Sequence, residues 1–563
     1  MLVFIEPDSN TIKLSPVQMR IARQAFEEDG KLLQPILNQI GARTEEIALA
    51  GIAKALGMPV VNIAASQIPD DVLDAFPVKI IHRRNVFPLG VQPNGVLYVA
   101  TSNPFDVALI DDVSAATGLP AAPAVVFPLE LSKLIKARLG VGAETIDGLI
   151  EQKSDVEVLD DDLDWEQNGD AQMAQEASVV RLVNDILMEA IETGTSDVHI
   201  EAQETGMRIR YRIDGVLQTQ PTPPEINRFQ SAIVSRLKIM ARLNIAEKRI
   251  PQDGRIKIKV ADREVDLRVS IIPMLHGEGI VMRILDKDRM NFTLRGIGMD
   301  EDVYQAFGKL ISLPHGIILV TGPTGSGKTT TLYSALNEIK SEETKIITTE
   351  DPIEYQLDGI NQIQVHTKVG LTFAASLRAI LRHDPDVVLV GEIRDFETAE
   401  NAIQASMTGH LVFSTLHTND AAGAYTRMID MGVEPFLVST TVEGVMAQRL
   451  ARRLCKHCKE PWKPRPDEVP HDFPKELLDS GEIYRPVGCR ECRNSGYSGR
   501  VALYELLIPN DEIRRLAGDK APSNEVKRVA RANGMATLRD NGWKKVGLGI
   551  TSVDEVVRVA KED

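Results

Sequence analysis

Eight consecutive residues, Gly322-Pro323-Thr324-Gly325-Ser326-Gly327-Lys328-Thr329, complete the pattern G-x-x-x-x-G-K-[ST]. A glycine-rich turn of this kind aims successive backbone N–H groups and a helix N-terminus at one point, which suits the phosphates of a nucleoside triphosphate. Lys328 would reach the β/γ oxygens and the Thr329 hydroxyl would bind Mg²⁺, with Thr330 next in the same helix. The flanks agree. Ile317-Ile318-Leu319-Val320 reads as a buried strand, and Thr330 to Leu336 carries apolar residues at helical spacing.

Three further strand ends gather polar residues. The run Asp386-Val387-Val388-Leu389-Val390 ends in Gly391-Glu392, and a carboxylate there suits orienting or deprotonating an attacking water. The competing reading of Glu392 is a helix N-terminal carboxylate held by the dipole. The run ending at Thr349 leads into Glu350-Asp351-Pro352-Ile353-Glu354; Glu350 and Glu354 either hold Mg²⁺ through water or cap a turn. His410 and His417 bracket a third strand, as γ-phosphate sensors or as structural hydrogen-bond partners. Arg378 and Arg382, spaced i, i+4 on one helix face, either neutralise phosphates or form surface pairs. Ligands of open α/β sheets bind beyond the carboxyl ends of the strands, so these clusters are expected to converge on Lys328.

The four cysteines fall into two C-x-x-C knuckles, Cys455/Cys458 and Cys489/Cys492, a strong signal for tetrahedral Zn²⁺. A redox pair would leave the second knuckle unexplained. The thirty residues between the knuckles imply an inserted subdomain.

The elements that must position these groups divide the chain. At 563 residues, with 43% hydrophobic and 26% charged, it has the composition of a soluble globular protein of three or four domains. No apolar run approaches the ~18–20 residues that span a bilayer, and the N-terminus lacks a signal-peptide pattern, so a cytoplasmic protein is expected. Residues 1–140 read as an α/β docking or regulatory domain: Ser15-Pro16-Val17-Gln18 is a capping box, a helix follows Thr44, and Val86–Val91 with Val96–Ala100 form a hairpin. Residues 151–170 hold nine acidic residues and one Lys, so 141–175 reads as a flexible acidic linker.

Residues 176–290 read as α+β. Met207, Ile209, Tyr211 and Ile213 alternate with Arg208, Arg210 and Arg212, giving a strand with one cationic face. Arg268 lies on the polar side of its strand, whereas Arg283 sits within the apolar run Ile280–Leu285 and is either paired structurally or functional. From 291 to 450 strands alternate with helices, the pattern of a parallel sheet with crossovers. A zinc subdomain over 451–500 and a helical region over 501–563 complete the chain.

Leu381-Arg382-His383-Asp384-Pro385-Asp386-Val387-Val388-Leu389-Val390-Gly391-Glu392-Ile393-Arg394-Asp395 resembles the signature of the GspE/PilB family of secretion and pilus-assembly ATPases. Glu350–Glu354 resembles that family's Asp box, and Thr408-Gly409-His410 through His417-Thr418-Asn419 its His box. The likeness runs from about residue 176 to the C-terminus. It implies a RecA-like P-loop ATPase core, preceded by an α+β (PAS-like) domain, working as a homohexamer on ATP and Mg²⁺. It also implies that Glu392 promotes hydrolysis, that Arg378 and Arg382 lie near the nucleotide, and that Arg268 and Arg283 reach it from the preceding domain.

The family's secretion and pilus-extension members carry a four-cysteine element. Partners implied are an inner-membrane platform protein and the cytoplasmic domain of a membrane anchor, which would hold the chain at the inner membrane. Pro251-Gln252-Asp253-Gly254-Arg255, His417-Thr418-Asn419-Asp420-Ala421-Ala422-Gly423 and Met431–Leu437 lean toward type II secretion over pilus extension.

Other readings are a DNA-translocating motor, disfavoured by the net charge of −16, and a nucleotide sensor, disfavoured by Glu392. The N-terminal domain resembles cyclic di-GMP modules with an Arg-Leu-Gly-x-x-Leu element. Here Lys31-Leu32-Leu33-Gln34-Pro35-Ile36-Leu37 lacks the Arg and the Gly, so such binding is disfavoured.

Overall fold

A computed structural model describes most of residues 2–139, then 156–158, 177–286 and 293–562 apart from 223, 261–262, 481–482 and 490–491. The chain divides into two compact units, Met1–Asp286 and Lys287–Asp563.

The first unit begins with strands β1 (Phe4–Ile5), β2 (Val60–Val61), β3 (Val86–Val91), β4 (Leu97–Thr101) and β5 (Ala121–Val125), ordered β1-β2-β5-β4-β3. The expected hairpin forms, with β3 antiparallel to β4. The expected capping box also forms: Gln18 N donates to Ser15 Oγ (3.4 Å) and Ser15 N to Gln18 Oε1 (2.9 Å), opening the helix Pro16–Asp29. A second helix runs Glu45–Leu56, with Gly51 on its buried side; a Cβ there would meet the Ile12 carbonyl at 2.9 Å. Of the segment compared with the cyclic di-GMP element, Lys31 and Leu33 lie outside the described residues.

The same unit holds a second sheet of β6 (Val156–Val158), β7 (Thr195–Gln203), β8 (Gly206–Ile213), β9 (Val216–Thr219), β10 (Gln252–Val260), β11 (Arg263–Met274) and β12 (Gly277–Asp286). Its order is β6-β10-β11-β12-β7-β8-β9, antiparallel throughout. One face packs Ile256, Leu267, Met282, Val198 and Tyr211 against the helices Ala177–Glu192 and Gln230–Met240. The other is polar because the side-chain period of a strand is two.

Two expectations change here. Val156–Val158, inside the stretch read as a linker, is an edge strand, with Val158 paired to Ile258 and Val156 to Val260. The rest of the acidic stretch lies outside the described residues. Strand β12 is two-faced rather than apolar, with Ile280, Met282 and Ile284 buried and Arg283 on the polar side.

The second unit is built on β13 (Gly316–Thr321), β14 (Ile346–Glu350), β15 (Asn361–Gln364), β16 (Val387–Val390), β17 (Leu411–Leu416), β18 (Val442–Leu454) and β21 (Tyr497–Leu507), ordered β15-β14-β16-β17-β13-β18-β21. All pair in parallel except β21, which is antiparallel to β18. Helices cover both faces, so the central strands are apolar along their whole length; Ile317 to Val320 are fully buried. The boundaries read at 450 and 500 fall inside or beside the long strands β18 and β21. The four-cysteine element, with its small sheet β19 (Glu460–Trp462) and β20 (Ile483–Arg485), is therefore an excursion from the motor sheet.

Candidate nucleotide site

Strand β13 ends at Thr321 and the helix Lys328–Ile339 begins seven residues on, so the chain must reverse within the glycine-rich turn. Gly322, Gly325 and Gly327 take φ of 151°, 78° and 88°, a region that strains any residue with a Cβ. A Cβ on Gly322 would lie 2.5 Å from the Gln448 carbonyl oxygen, whereas one on Gly325 would meet nothing within 4 Å. The turn is packed at its root and open at its crest. Pro323, Thr324 and Thr329 are exposed there, Thr330 is half-buried, and Ser326 is buried beneath them. Lys328 Nζ donates to the carbonyls of Gly322 (2.8 Å) and Pro323 (3.2 Å). Burial pulls its ammonium down to about 8; Glu392 opposes that and Arg449 adds to it.

The ends of β14, β16 and β17 meet beside this turn. Gly391 N donates to Thr349 O (2.8 Å), Thr415 Oγ1 to Gly391 O (2.7 Å), and Ile393 N to Thr415 O (3.1 Å). A Cβ on Gly391 would lie 3.2 Å from the Thr349 carbonyl, so the strand ends approach closely there. The Glu392 carboxylate, 13% exposed, is flanked by Arg394 Nη2 (2.5 Å) and His417 Nε2 (3.3 Å). Lys328, Glu392 and His417 are thus assembled from three elements around one point.

Other residues are placed differently. The Glu350 carboxylate is buried and accepts from Tyr333 Oη, Thr348 Oγ1 (2.6 Å) and Gln362 Nε2 (3.1 Å), which ties β14 to the helix Lys328–Ile339. Glu354 is half-buried in the loop beyond it. Arg378, on the helix Phe373–Ile380, pairs with Glu397 (2.5 Å), and Arg382 Nη1 donates to the Arg378 carbonyl (2.8 Å). His410 stands at the opposite end of β17 from His417, about 20 Å away at the rise of a strand. Its Nδ1 lies 2.8 Å from Ala405 O and 3.1 Å from Thr408 Oγ1, at the C-terminus of the helix Phe396–Met407. Within one chain it does not join the phosphate cluster.

Sequence reasoning missed Arg449, Gln448, Tyr333 and Arg394. The first two follow β18's pairing with β13, more than a hundred residues away in sequence, which no local pattern carries.

In the first unit, direct cross-strand pairing lines up Arg255, Arg268, Arg283, Asp197 and Arg212 on the polar face. Arg283 Nε lies 3.1 Å from Asp197 Oδ1, and Arg212 Nε 3.8 Å from Asp197 Oδ2. Arg255 pairs with Asp266 and Arg210 with Glu201. The cationic strand is interleaved with carboxylates, unlike a nucleic-acid stripe.

The cysteine thiols come together as the spacing predicts. All four sulfurs lie within 4.8 Å of one another, with Cys455–Cys489 at 3.8 Å and Cys458–Cys492 and Cys489–Cys492 at 3.7 Å. Four thiolates at ~2.3 Å from a tetrahedral metal stand about 3.8 Å apart, so the set fits such an ion. Backbone N–H groups of Cys489 (3.1 Å) and Gly496 (3.2 Å) point at Cys492 Sγ. Burial works against them, yet the Cys492 thiol is held down to about 7.

A phosphate-cradling turn after a central strand of a mostly parallel sheet, with a carboxylate at a neighbouring strand end, defines a P-loop NTPase of RecA-like build. The chain belongs to the type II/IV secretion system protein family, whose profile matches residues 172–558, and an MshEN domain matches 56–144. It is 42% identical to the type II secretion system protein E of Xanthomonas campestris pv. campestris, over 98% of this chain and 97% of that one. Identity to the type IV pilus assembly ATPase PilB of Myxococcus xanthus is 41%, over 97% and 96%. Identity to the type II secretion system ATPase E of Vibrio cholerae reaches 51%, over 69% and 76%. As a member of this family the chain is an ATP hydrolase.

Proposed function

We propose that this chain is the cytoplasmic motor of a type II secretion machine, hydrolysing MgATP as a homohexamer to drive pseudopilus assembly and protein export. The observation that carries the reading is the meeting of Lys328, Glu392 and His417 at three adjacent strand ends above the glycine turn.

Residues 322–330 bind the nucleotide, with Lys328 on the β/γ oxygens and Thr329 on Mg²⁺, which neutralises charge on the phosphates when bound. Glu392 orients and deprotonates the attacking water, and His417 and Arg394 fix its carboxylate. Glu350 supports the site by holding Tyr333 of the P-loop helix. Arg268 and Arg283 act on the phosphates from the polar face of their sheet, as do Arg378 from the helix Phe373–Ile380 and Arg382 from the turn just beyond its end. Cys455, Cys458, Cys489 and Cys492 hold one structural Zn²⁺. The N-terminal domain docks on the cytoplasmic part of a membrane anchor and does not take a cyclic dinucleotide. No described helix is long and apolar enough to cross a membrane; the chain meets the inner membrane through its partners.

Type II secretion is preferred because the secretion relative matched over 98% of this chain is accompanied by a second at 51% identity over 69% of it. The likeness to PilB supports pilus extension as the second reading. Deleting the gene separates them: loss of exoproteins from the medium with surface pili intact is expected, and the converse establishes the pilus reading.

A further inference from the structure

The strands flanking the P-loop strand bring different chemistry to the turn. Strand β17 runs into His417 and Asn419 on one side. On the other, β18 continues beyond its last pairing with β13, Thr321 opposite Ala447, to Gln448 and Arg449. Successive strand residues point to opposite faces. Gln448 turns under the P-loop helix, where its Oε1 accepts from Thr331 Oγ1 (2.8 Å). Arg449 turns the other way, toward the loop that follows β17.

The Arg449 guanidinium bridges two functional segments. Its Nη1 lies 3.1 Å from the point a Cβ on Gly322 would occupy, against the first residue of the phosphate turn. Its Nη2 donates to the Asn419 carbonyl (2.8 Å), two residues beyond His417. All its acceptors are neutral: Asn419 O and Oδ1, and Gln448 O. The acceptors of Lys328 are likewise neutral carbonyls. The carboxylate that Lys328 feels most, Glu392, is already held by Arg394 and His417. Two cations therefore stand beside a turn of N–H donors with neutral hydrogen-bond acceptors only; Glu505 and Asp420 favour the Arg449 charge through space, yet burial outweighs them, and burial together with Arg449 pulls Lys328 down. An anion placed there would satisfy both. A guanidinium also offers paired donors in the geometry of a phosphate edge.

We propose that Arg449 is a phosphate ligand supplied in cis from β18, binding a nucleoside polyphosphate together with Lys328 and carrying its presence to the His417–Asp420 loop through Asn419. The inference rests on the P-loop reading above, and no sequence motif used for that reading includes Arg449.

The test is equilibrium binding of a fluorescent MgATP analogue to the full-length protein and to Lys328→Ala, Arg449→Ala, Arg449→Lys and Arg449→Gln, with melting of the nucleotide-free forms. Arg453→Ala, exposed on the same strand, is the control and should bind as wild type. Loss of a charged hydrogen bond predicts affinity about ten- to hundredfold weaker for Arg449→Ala and Arg449→Gln, partial recovery with Lys, and unchanged melting. Wild-type affinity in Arg449→Gln, or a lowered melting temperature with unchanged affinity per folded molecule, overturns the proposal. Should Arg449→Ala fail to fold, Arg449→Gln decides alone. If Lys328→Ala loses binding while the Arg449 variants keep it, only this inference falls; if Lys328→Ala binds normally, the P-loop reading falls.

Discussion

In the proposed mechanism Lys328 holds the β/γ phosphates, and its burial makes it sensitive to pH in an accessible range. Its ammonium is pulled down to about 8, and a bound polyphosphate favours the charged form. Nucleotide affinity is therefore fully present below about pH 8 and falls as pH rises through that value, because the free site must then take up a proton to bind. ADP titrations between pH 7 and 9.5 should show this loss, and a flat profile contradicts it. At this scale the sequence was informative wherever function is local. The glycine turn, Glu392 and the cysteine knuckles each depend on near neighbours. Arg449, and the Tyr333–Glu350 contact, depend on which strand lies beside which. His410 and His417 looked equivalent because they bracket one strand, yet the length of that strand separates them.

At the scale of elements, the polar face of the first unit's second sheet sets Arg268 directly opposite Arg283, with Arg255 and Asp197 continuing the row. Because Arg283 itself is half exposed and the buried Asp197 keeps Arg212 beside it, removing Arg283 should then cost about 1 kcal/mol of stability. Arg283→Ala and Arg268→Ala are expected to lower ATP turnover at least about tenfold while leaving the melting temperature nearly unchanged, since arginines that act on a transferring phosphoryl group contribute far more than that. A large fall in melting temperature with normal activity per folded molecule would make them structural. Hairpins, caps and apolar strands were readable here because turn chemistry and period are local. The two-faced nature of β12 was obscured by Val281 and Leu285, and strand β6 by the acidic residues around two valines.

For the whole molecule, the four-cysteine excursion leaves the motor sheet on β18 and returns on β21, so on the proposed function any movement of the core would be passed directly to it. A zinc ion closed in by four thiolates would have no open position for water, and its work would be structural. Metal analysis should find one zinc per chain. Cys489→Ser should release it and block export in cells while the purified protein keeps basal ATP turnover. Protein purified without chelators and lacking zinc, or normal export by Cys489→Ser, counts against this. The domain boundaries here could not be read from composition, because β18 and β21 pair across an insertion of some forty residues.

The most direct measurement pairs MgATP binding with MgATP turnover in Lys328→Ala and Glu392→Gln. Loss of the lysine should abolish turnover by removing the charge partner of the β/γ phosphates. Glu392→Gln should bind ATP as wild type yet turn over about a hundredfold or more slowly, as expected when a general base is removed. Wild-type turnover in Glu392→Gln would contradict the assignment of the site.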